Sequence, residues 1–193
     1  FRSTATSLSW AATRRPTSAS VHHVRPAAIK LLSEELSREP EFLARFEREA
    51  KSAAALNHPN VVQVYDYGQA EGQYFFVMEL VDGTDLSIYV KEHGKLPIAT
   101  ALDYCEQAVK ALKFAASHAI IHRDVKPANL MLTRDGLVKV SDLGLAKKLT
   151  DDSEVTMTGV GMDSPHFLAP EQANDAAHVD HRADIYALGV TLL

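Results

Sequence analysis

The first glycine of the chain is Gly68. Backbone approaches a phosphate closely only at torsions that glycine alone adopts freely, so the residues before Gly68 contain no glycine-rich phosphate turn. No acidic residue precedes Glu34, and residues 1 to 25 are rich in Ser, Thr, Ala and Arg. That composition suits a disordered arm or a transit-like segment, not a packed element. The one cysteine, Cys105, excludes an intrachain disulfide and suits a reducing compartment. No apolar run approaches the length of a membrane span. A net charge of -5 gives no electrostatic reason to expect nucleic acid or an anionic lipid surface. An initiating methionine is also missing: the chain starts at Phe1 and stops at Leu193 inside an apolar run, the pattern expected of a fragment cut at both ends.

What is present is enough for a core. A chain of 193 residues with 46% hydrophobic content can bury one domain or two small lobes. The densest chemistry lies in His122-Arg123-Asp124-Val125-Lys126-Pro127-Ala128-Asn129, which puts four ionisable groups and a carboxamide into eight residues. Pro127 forbids a regular helix there and biases Lys126 toward an extended shape. A helix over Ala99 to Ser117 is expected before it, with Leu102, Cys105, Val109, Leu112 and Ala116 on a core-facing stripe. The apolar run Leu130-Met131-Leu132 follows. The segment therefore reads as a rigid loop between two buried elements. Asp142-Leu143-Gly144 adds a second acid beside a glycine. Two carboxylates, a lysine and an asparagine brought together suit a divalent cation and a phosphate better than a core.

Upstream, Ala28 to Leu32 reads as a buried strand carrying Lys30. Pro40 to Leu56 reads as a helix with Phe42, Phe46, Ala53 and Leu56 on its inner stripe. Glu49 falls on that stripe, and an inward carboxylate is costly without a cation, so Lys30 is its expected partner. Two strands, Val61 to Tyr67 and Tyr74 to Leu80, come next. Asp82 to Asp85 then reads as a turn and helix cap. The spacing His178-x2-His181-x2-Asp184 turns its side chains progressively around a helix and is not read as a metal site.

His-Arg-Asp-x-Lys-Pro-x-Asn, Asp-Leu-Gly and Ala169-Pro170-Glu171 together resemble the eukaryotic-like protein kinases, most closely the bacterial serine/threonine kinases. The resemblance covers roughly residues 26 to 193. It implies an α+β, two-lobed protein kinase fold truncated at both ends, with residues 1–25 outside it, a small lobe over 26–81 and a mainly helical lobe over 82–193. It also implies roles. Asp124 would take or orient the substrate hydroxyl proton, Lys126 would neutralise the transferring phosphoryl group, and Asn129 and Asp142 would hold Mg2+. Lys30 and Glu49 would form the phosphate-binding pair. Ala28 and Met131 would sandwich adenine, Met78 would guard the back of the pocket, and Glu79 to Val81 would form the hinge. Asp85 would reach the ribose, although capping alone also explains it. His122 and Leu143 would pack between the lobes.

By the same resemblance, residues 145 to 168 form an activation segment. Thr158 and then Thr156 are its expected phosphorylation sites, Ser153 is a further hydroxyl, and Arg123 would grip the phosphate. Ser164 would bond Asp124 and Lys126. Asp184 would anchor the catalytic-loop amides. Glu171 is expected buried with its partner outside the chain, and Ile185, Leu188 and Leu192 are expected uncovered. The resemblance implies ATP and Mg2+ as cofactors, protein substrates, self-association for loop phosphorylation, and a cytoplasmic catalytic domain without a membrane segment. Two departures stand out: Leu143 replaces the family's Phe, and the glycine-rich loop is missing. The latter favours a rival reading as a pseudokinase or ATP-binding signalling module. A small-molecule kinase of the aminoglycoside type is the other rival. The Ala-Pro-Glu segment and Lys126 speak against it.

Overall fold

The computed structural model describes residues 25–32, 40–70, 72–143, 165–174 and 179–193, with backbone alone for 40–45, 49, 165 and 174. Strand β1 (Ala27–Leu31) is followed by helix α1 (Pro40–Ala54), β2 (Val64–Ala70) and β3 (Gln73–Glu79). These strands form one antiparallel sheet in the order β1-β3-β2. The period of α1 matches its burial: Phe46, Ala50 and Ala53 face the sheet and meet Val64 and Phe76. Phe46 is the centre of this small core, with ring centroids 4.8 Å from Phe76, 5.3 Å from Tyr74 and 6.1 Å from Tyr67. Aromatic packing of this kind adds about 0.5–1.5 kcal/mol per pair beyond simple burial.

Strand β1 is not the buried strand its apolar run suggests. Among the described residues it pairs with β3 alone, and it leaves Ile29 47% and Leu31 58% exposed. A strand covered on one face shows alternation, and here Ala28 and Lys30 take the half-buried positions. Leu56 lies beyond the end of α1 and joins the second core instead of the first.

After Glu79 the chain passes into a second sheet. It contains β4 (Gly83–Asp85), β5 (Leu130–Thr133) and β6 (Val138–Val140), all antiparallel. The short β4 occupies what reads in sequence as a turn. Gly83 permits it, because a Cβ at that position would collide with the carbonyl oxygen of Leu132. Asp85 then caps α2 (Leu86–His93), accepting from the Ile88 N–H at 3.0 Å.

The long helix α3 (Ile98–Ser117) packs on β6 through Ala108, Ala111, Leu112 and Ala115, all buried. The stripe expected from larger residues is therefore displaced: Leu102 and Val109 are 54% and 46% exposed, and Cys105 and Ala116 are half-buried. Alanines allow the closer approach of helix to strand, so small side chains and not large ones mark the buried face. The helix ends in a Schellman arrangement, with Ala119 N–H donating to Ala116 O and Ile120 N–H to Ala115 O, both at 3.0 Å. Ala119 has φ 58°, a left-handed position where glycine is usual.

Short helices α4 (Pro170–Asn174) and α5 (Arg182–Leu192) complete the described elements. Along α5, Ala187 and Leu188 enter the main core, so Leu188 is covered, whereas Ile185 and Leu192 are 63% and 44% exposed. No helix among the described residues is long and apolar enough to cross a membrane.

Candidate active site

The loop between α3 and β5 is held by polar atoms from several parts of the chain. Asp184, at the start of α5 and buried, accepts the His122 N–H at 2.9 Å and the Arg123 N–H at 2.8 Å. His122 is fully buried, with Nε2 2.8 Å from the Ser141 carbonyl, while its Nδ1 accepts the Asp124 N–H at 3.2 Å. Val125 is buried beside it. These bonds stabilise an unusual backbone: Arg123 has φ 65°. A non-glycine residue there costs on the order of 1 kcal/mol, so the side-chain anchors offset a strain set beside the acid.

That backbone delivers Asp124 to its neighbours. Its Oδ2 is 3.0 Å from Lys126 Nζ and accepts from Asn129 Nδ2 at 3.0 Å. Asn129 Nδ2 also donates to the Asp124 carbonyl at 2.7 Å. Pro127–Asn129 form a single 3-10 turn, which is why three residues spaced two and three apart converge on one oxygen. Asp124, Lys126 and Asn129 therefore form one cluster, as their sequence spacing suggests.

Asp142 follows the end of β6, in a left-handed conformation with φ 57°. The Asn129 carbonyl accepts from Ser141 N at 2.9 Å and Ser141 Oγ at 3.2 Å, which fastens Asn129 to the residue before Asp142. Lys30 Nζ from β1 meets Asp142 Oδ1 at 2.6 Å. Among the described residues the anion that meets Lys30 is Asp142; its expected partner, Glu49, has its side chain outside them. Asp142 follows β6, so the lysine links β1 to the end of the second sheet.

The apolar residues expected around a flat base lie on the two sheets. Ala28 stands opposite Met78 in the β1–β3 register, and Met131 lies on β5; all three are half-buried. A small cavity lined by Ala53, Val62, Val64, Met78, Asp142 and Leu143 opens behind them. Val81 is half-buried after β3. Asp85 is engaged as the α2 cap. The Glu79 carboxylate pairs with Lys139 Nζ at 2.9 Å and accepts the Gln63 N–H at 3.2 Å.

Mg2+ suits this donor set. Asn129 commits its amide nitrogen to Asp124, which leaves its oxygen for a cation, and Asp142 supplies a carboxylate held alongside. Mg2+ commonly takes one or two such protein oxygens and completes its shell with phosphates and water. Among the described residues no cluster of three or more His, Cys, Asp or Glu side chains is gathered for a metal.

Glu171 departs from expectation. It is exposed in the first turn of α4, and its charge is felt by Arg182, whose guanidinium is held above its usual range chiefly by Asp180. No described element covers this turn, so the carboxylate stays in water. Thr156, Thr158, Ser153, Ser164 and Gly144 lie outside the described residues, as does His178.

Three polar links are invisible in the sequence. The Glu79–Lys139 pair joins residues 60 apart. Buried Asn60 donates to the Val138 carbonyl at 2.8 Å and to Gln107 Oε1 at 3.3 Å, strapping the loop after α1 beneath β6. Gln172 donates to the Arg123 carbonyl at 2.8 Å. Single amides carry no periodic or spacing signal; only the Asn-x-Pro-Asn turn at Asn57–Asn60 hints at a fixed loop.

Comparison with known proteins identifies the family. The profile of the family described as protein kinase domain matches residues 17–193. The chain is 44% identical over 172 residues to serine/threonine-protein kinase PknB of Mycobacterium leprae, covering 87% of this chain and 28% of that protein. It is 43% identical to serine/threonine-protein kinase PknA of Mycobacterium tuberculosis, covering 86% of this chain and 39% of that one. The crystal structure of the M. tuberculosis PknI kinase domain superposes with a TM-score of 0.70 at 35% identity, covering 86% of this chain and 61% of that domain. The chain thus spans under two fifths of the length of these two curated relatives. Protein kinases in general use ATP and Mg2+ and act on proteins. The chain belongs to the protein kinase family, as a catalytic domain of the bacterial serine/threonine type.

Proposed function

We propose that the protein transfers the γ-phosphate of ATP to serine or threonine hydroxyls of protein substrates, with Mg2+ as cofactor. The observation that carries this reading is the junction of the Asp124–Lys126–Asn129 cluster with the Lys30–Asp142 bridge, two charged groups held at facing edges of two sheets. Asp124 orients the acceptor hydroxyl and takes its proton, with Asn129 and Lys126 fixing its carboxylate. Lys126 and Lys30 bring positive charge to the transferring and non-transferring phosphates. Asn129 and Asp142 hold Mg2+, which when bound neutralises phosphate charge. Ala28, Met78 and Met131 supply the apolar slot, and the backbone of Glu79 to Val81 offers hinge donors and acceptors. Asp85 faces the ribose from the start of α2. Catalysis of this kind rests on positioning and charge neutralisation.

Transfer of labelled phosphate from Mg-ATP to Ser/Thr peptides by the full-length protein tests the reading, with Asp124→Asn as control. Loss of a positioned catalytic group is expected to lower kcat by about 100-fold or more. Equal rates for the two proteins would refute it.

Arg123 extends the proposal to regulation. Its Nε is buried and without a hydrogen-bond partner among the described residues. A phosphate on Thr158, or second on Thr156, would bring about -1.5 to -2 charges and acceptors matched to a guanidinium fork. Transfer between two molecules would install it, which requires transient self-association. Arg123→Ala is expected to abolish the activation gained by phosphorylation while leaving ATP affinity within about two-fold. Mass spectrometry after incubation with Mg-ATP, with rates for Thr156→Ala/Thr158→Ala, decides it: wild-type rates from the double variant would overturn this step.

A second reading, a nucleotide-binding module without turnover, is favoured by the lack of glycine before Gly68. It predicts saturable ATP binding by calorimetry with no phosphopeptide formed at any Mg2+ concentration.

A further inference from the structure

The peptide units that lead into Asp124 are each held by a side chain, and the holders come from different parts of the chain. The His122 and Arg123 N–H groups go to Asp184 of α5, and the Asp124 N–H goes to His122. The remaining group of the Arg123–Asp124 peptide, the Arg123 carbonyl, accepts from Gln172 Nε2 at 2.8 Å. The other end of the same carboxamide, Gln172 Oε1, accepts the Ala169 N–H at 3.2 Å. Gln172 also turns its own backbone N–H onto the Ala169 carbonyl at 2.9 Å, closing the first turn of α4. One half-buried side chain thus spans from the start of α4 to the peptide that carries Asp124, with both amide ends used.

We propose that Gln172 is a positioning residue for Asp124: it couples the plane of the Arg123–Asp124 peptide to the Ala169–Pro170 start of α4. Arg123 sits at φ 65°, a conformation that reverts readily to the right-handed or extended regions when its bonds are lost. Asp184 and His122 restrain only N–H groups. Rotation of the Arg123–Asp124 plane is opposed at its oxygen by Gln172, and such a rotation would carry Oδ2 of Asp124 away from Lys126 and Asn129. The orientation of the acid is thereby made to depend on where α4 begins. This inference deepens the kinase reading and rests on it for its kinetic consequence, whereas the mechanical link stands on geometry alone.

The test uses the full-length protein, wild type, Gln172→Met and Gln172→Glu. Methionine matches the length of glutamine without its donor or acceptor. Glutamate keeps the acceptor for Ala169 but presents a carboxylate to the Arg123 carbonyl until it is protonated. Gln172→Met is expected to lower kcat about tenfold, the scale of one lost positioning bond, with KM for ATP changed less than about twofold. Gln172→Glu should be equally impaired at neutral pH. Its activity relative to wild type should rise as pH falls toward the carboxyl range, because the protonated acid can again donate to Arg123 O, while the relative activity of Gln172→Met stays flat. A merely structural role would not separate the two variants by pH. Hydrogen exchange supplies an arm independent of catalysis: amides of residues 121–125 should exchange faster in Gln172→Met, with α1 and the first sheet unchanged. Unchanged exchange there, or parallel pH profiles for the two variants, would overturn the proposal. Faster local exchange in a protein whose wild type transfers no phosphate would instead sink the kinase reading and leave the link standing.

Discussion

The two sheets hold their charged residues in opposite ways. β1, which carries Lys30, exposes Ile29 and Leu31, and among the described residues it pairs with β3 alone; Lys30 itself is 42% exposed in its side chain. The β5–β6 hairpin buries Leu130, Leu132, Val138 and Val140, and the loop before it is bonded at successive amides by Asp184 and His122. One side of the site is a lysine on a lightly held strand; the other is an acid on a framework anchored from α5. A site divided in this way can keep its acid fixed while the lysine side adjusts to a phosphate, since local stability follows buried contacts and anchored bonds.

Removing charge at the junction should separate function from stability most sharply. Asp142→Asn is expected to reduce Mg2+-dependent ATP turnover by about 100-fold or more, because a positioned electrostatic stabiliser is lost. Its effect on unfolding should stay below about 1 kcal/mol, since the Lys30–Asp142 pair is solvent-accessible. Turnover above about a tenth of wild type would remove Asp142 from the metal site.

Asp184→Ala attacks the anchored side. Two buried N–H groups lose a charged acceptor, so urea denaturation should show a loss of roughly 3 kcal/mol or more. Lys30→Ala on the other sheet should cost less than about 1 kcal/mol. Equal losses from the two variants would erase the contrast drawn between the sheets.

Ala119→Gly sharpens it in the opposite direction. The left-handed Ala119 ends α3 and leads into the anchored loop. Glycine there should stabilise by about 0.5–1 kcal/mol, read as a rise in Tm. A fall in Tm would mean that the Cβ of Ala119 contributes packing that outweighs its strain.

The smallest effect concerns His58, which stacks on Phe114 with centroids 4.9 Å apart. Burial first, and the nearby Lys139 ammonium second, lower its pKa below the usual histidine value. The folded-state value is depressed, so this histidine's contribution is complete above about pH 6.5 and is lost as pH falls from there through the folded value. The urea midpoint of wild type should therefore drop more between about pH 7.5 and 5.5 than that of His58→Phe. Equal drops would show that other groups govern the acid limb.

Much of the site was legible because it is local. Asp124, Lys126 and Asn129 lie within one turn, and Pro127 alone dictates a break there, so their convergence needed no long-range information. The period of α1 likewise placed Phe46 and Ala53 inward. Long-range choices were not legible. That Lys30 meets Asp142 depends on how two sheets face each other, and nothing near Lys30 in the chain marks it. The buried stripe of α3 was misplaced because large apolar residues were expected inside, whereas close packing on β6 selects Ala108, Ala111 and Ala115.

Local spacing, backbone restriction and apolar period were thus enough to determine the Asp124–Lys126–Asn129 cluster and the helices around it, and the motifs carried the resemblance to the family. Tertiary structure alone decided that β1 is half exposed, that Glu171 stays in water, and that Asp184 and Gln172 close on the peptides before Asp124. The physical reason is the reach of the forces involved. Torsional preference and side-chain period act over one or two turns of chain, whereas these hydrogen-bond partners are 49 to 62 positions apart and meet only after the elements have packed.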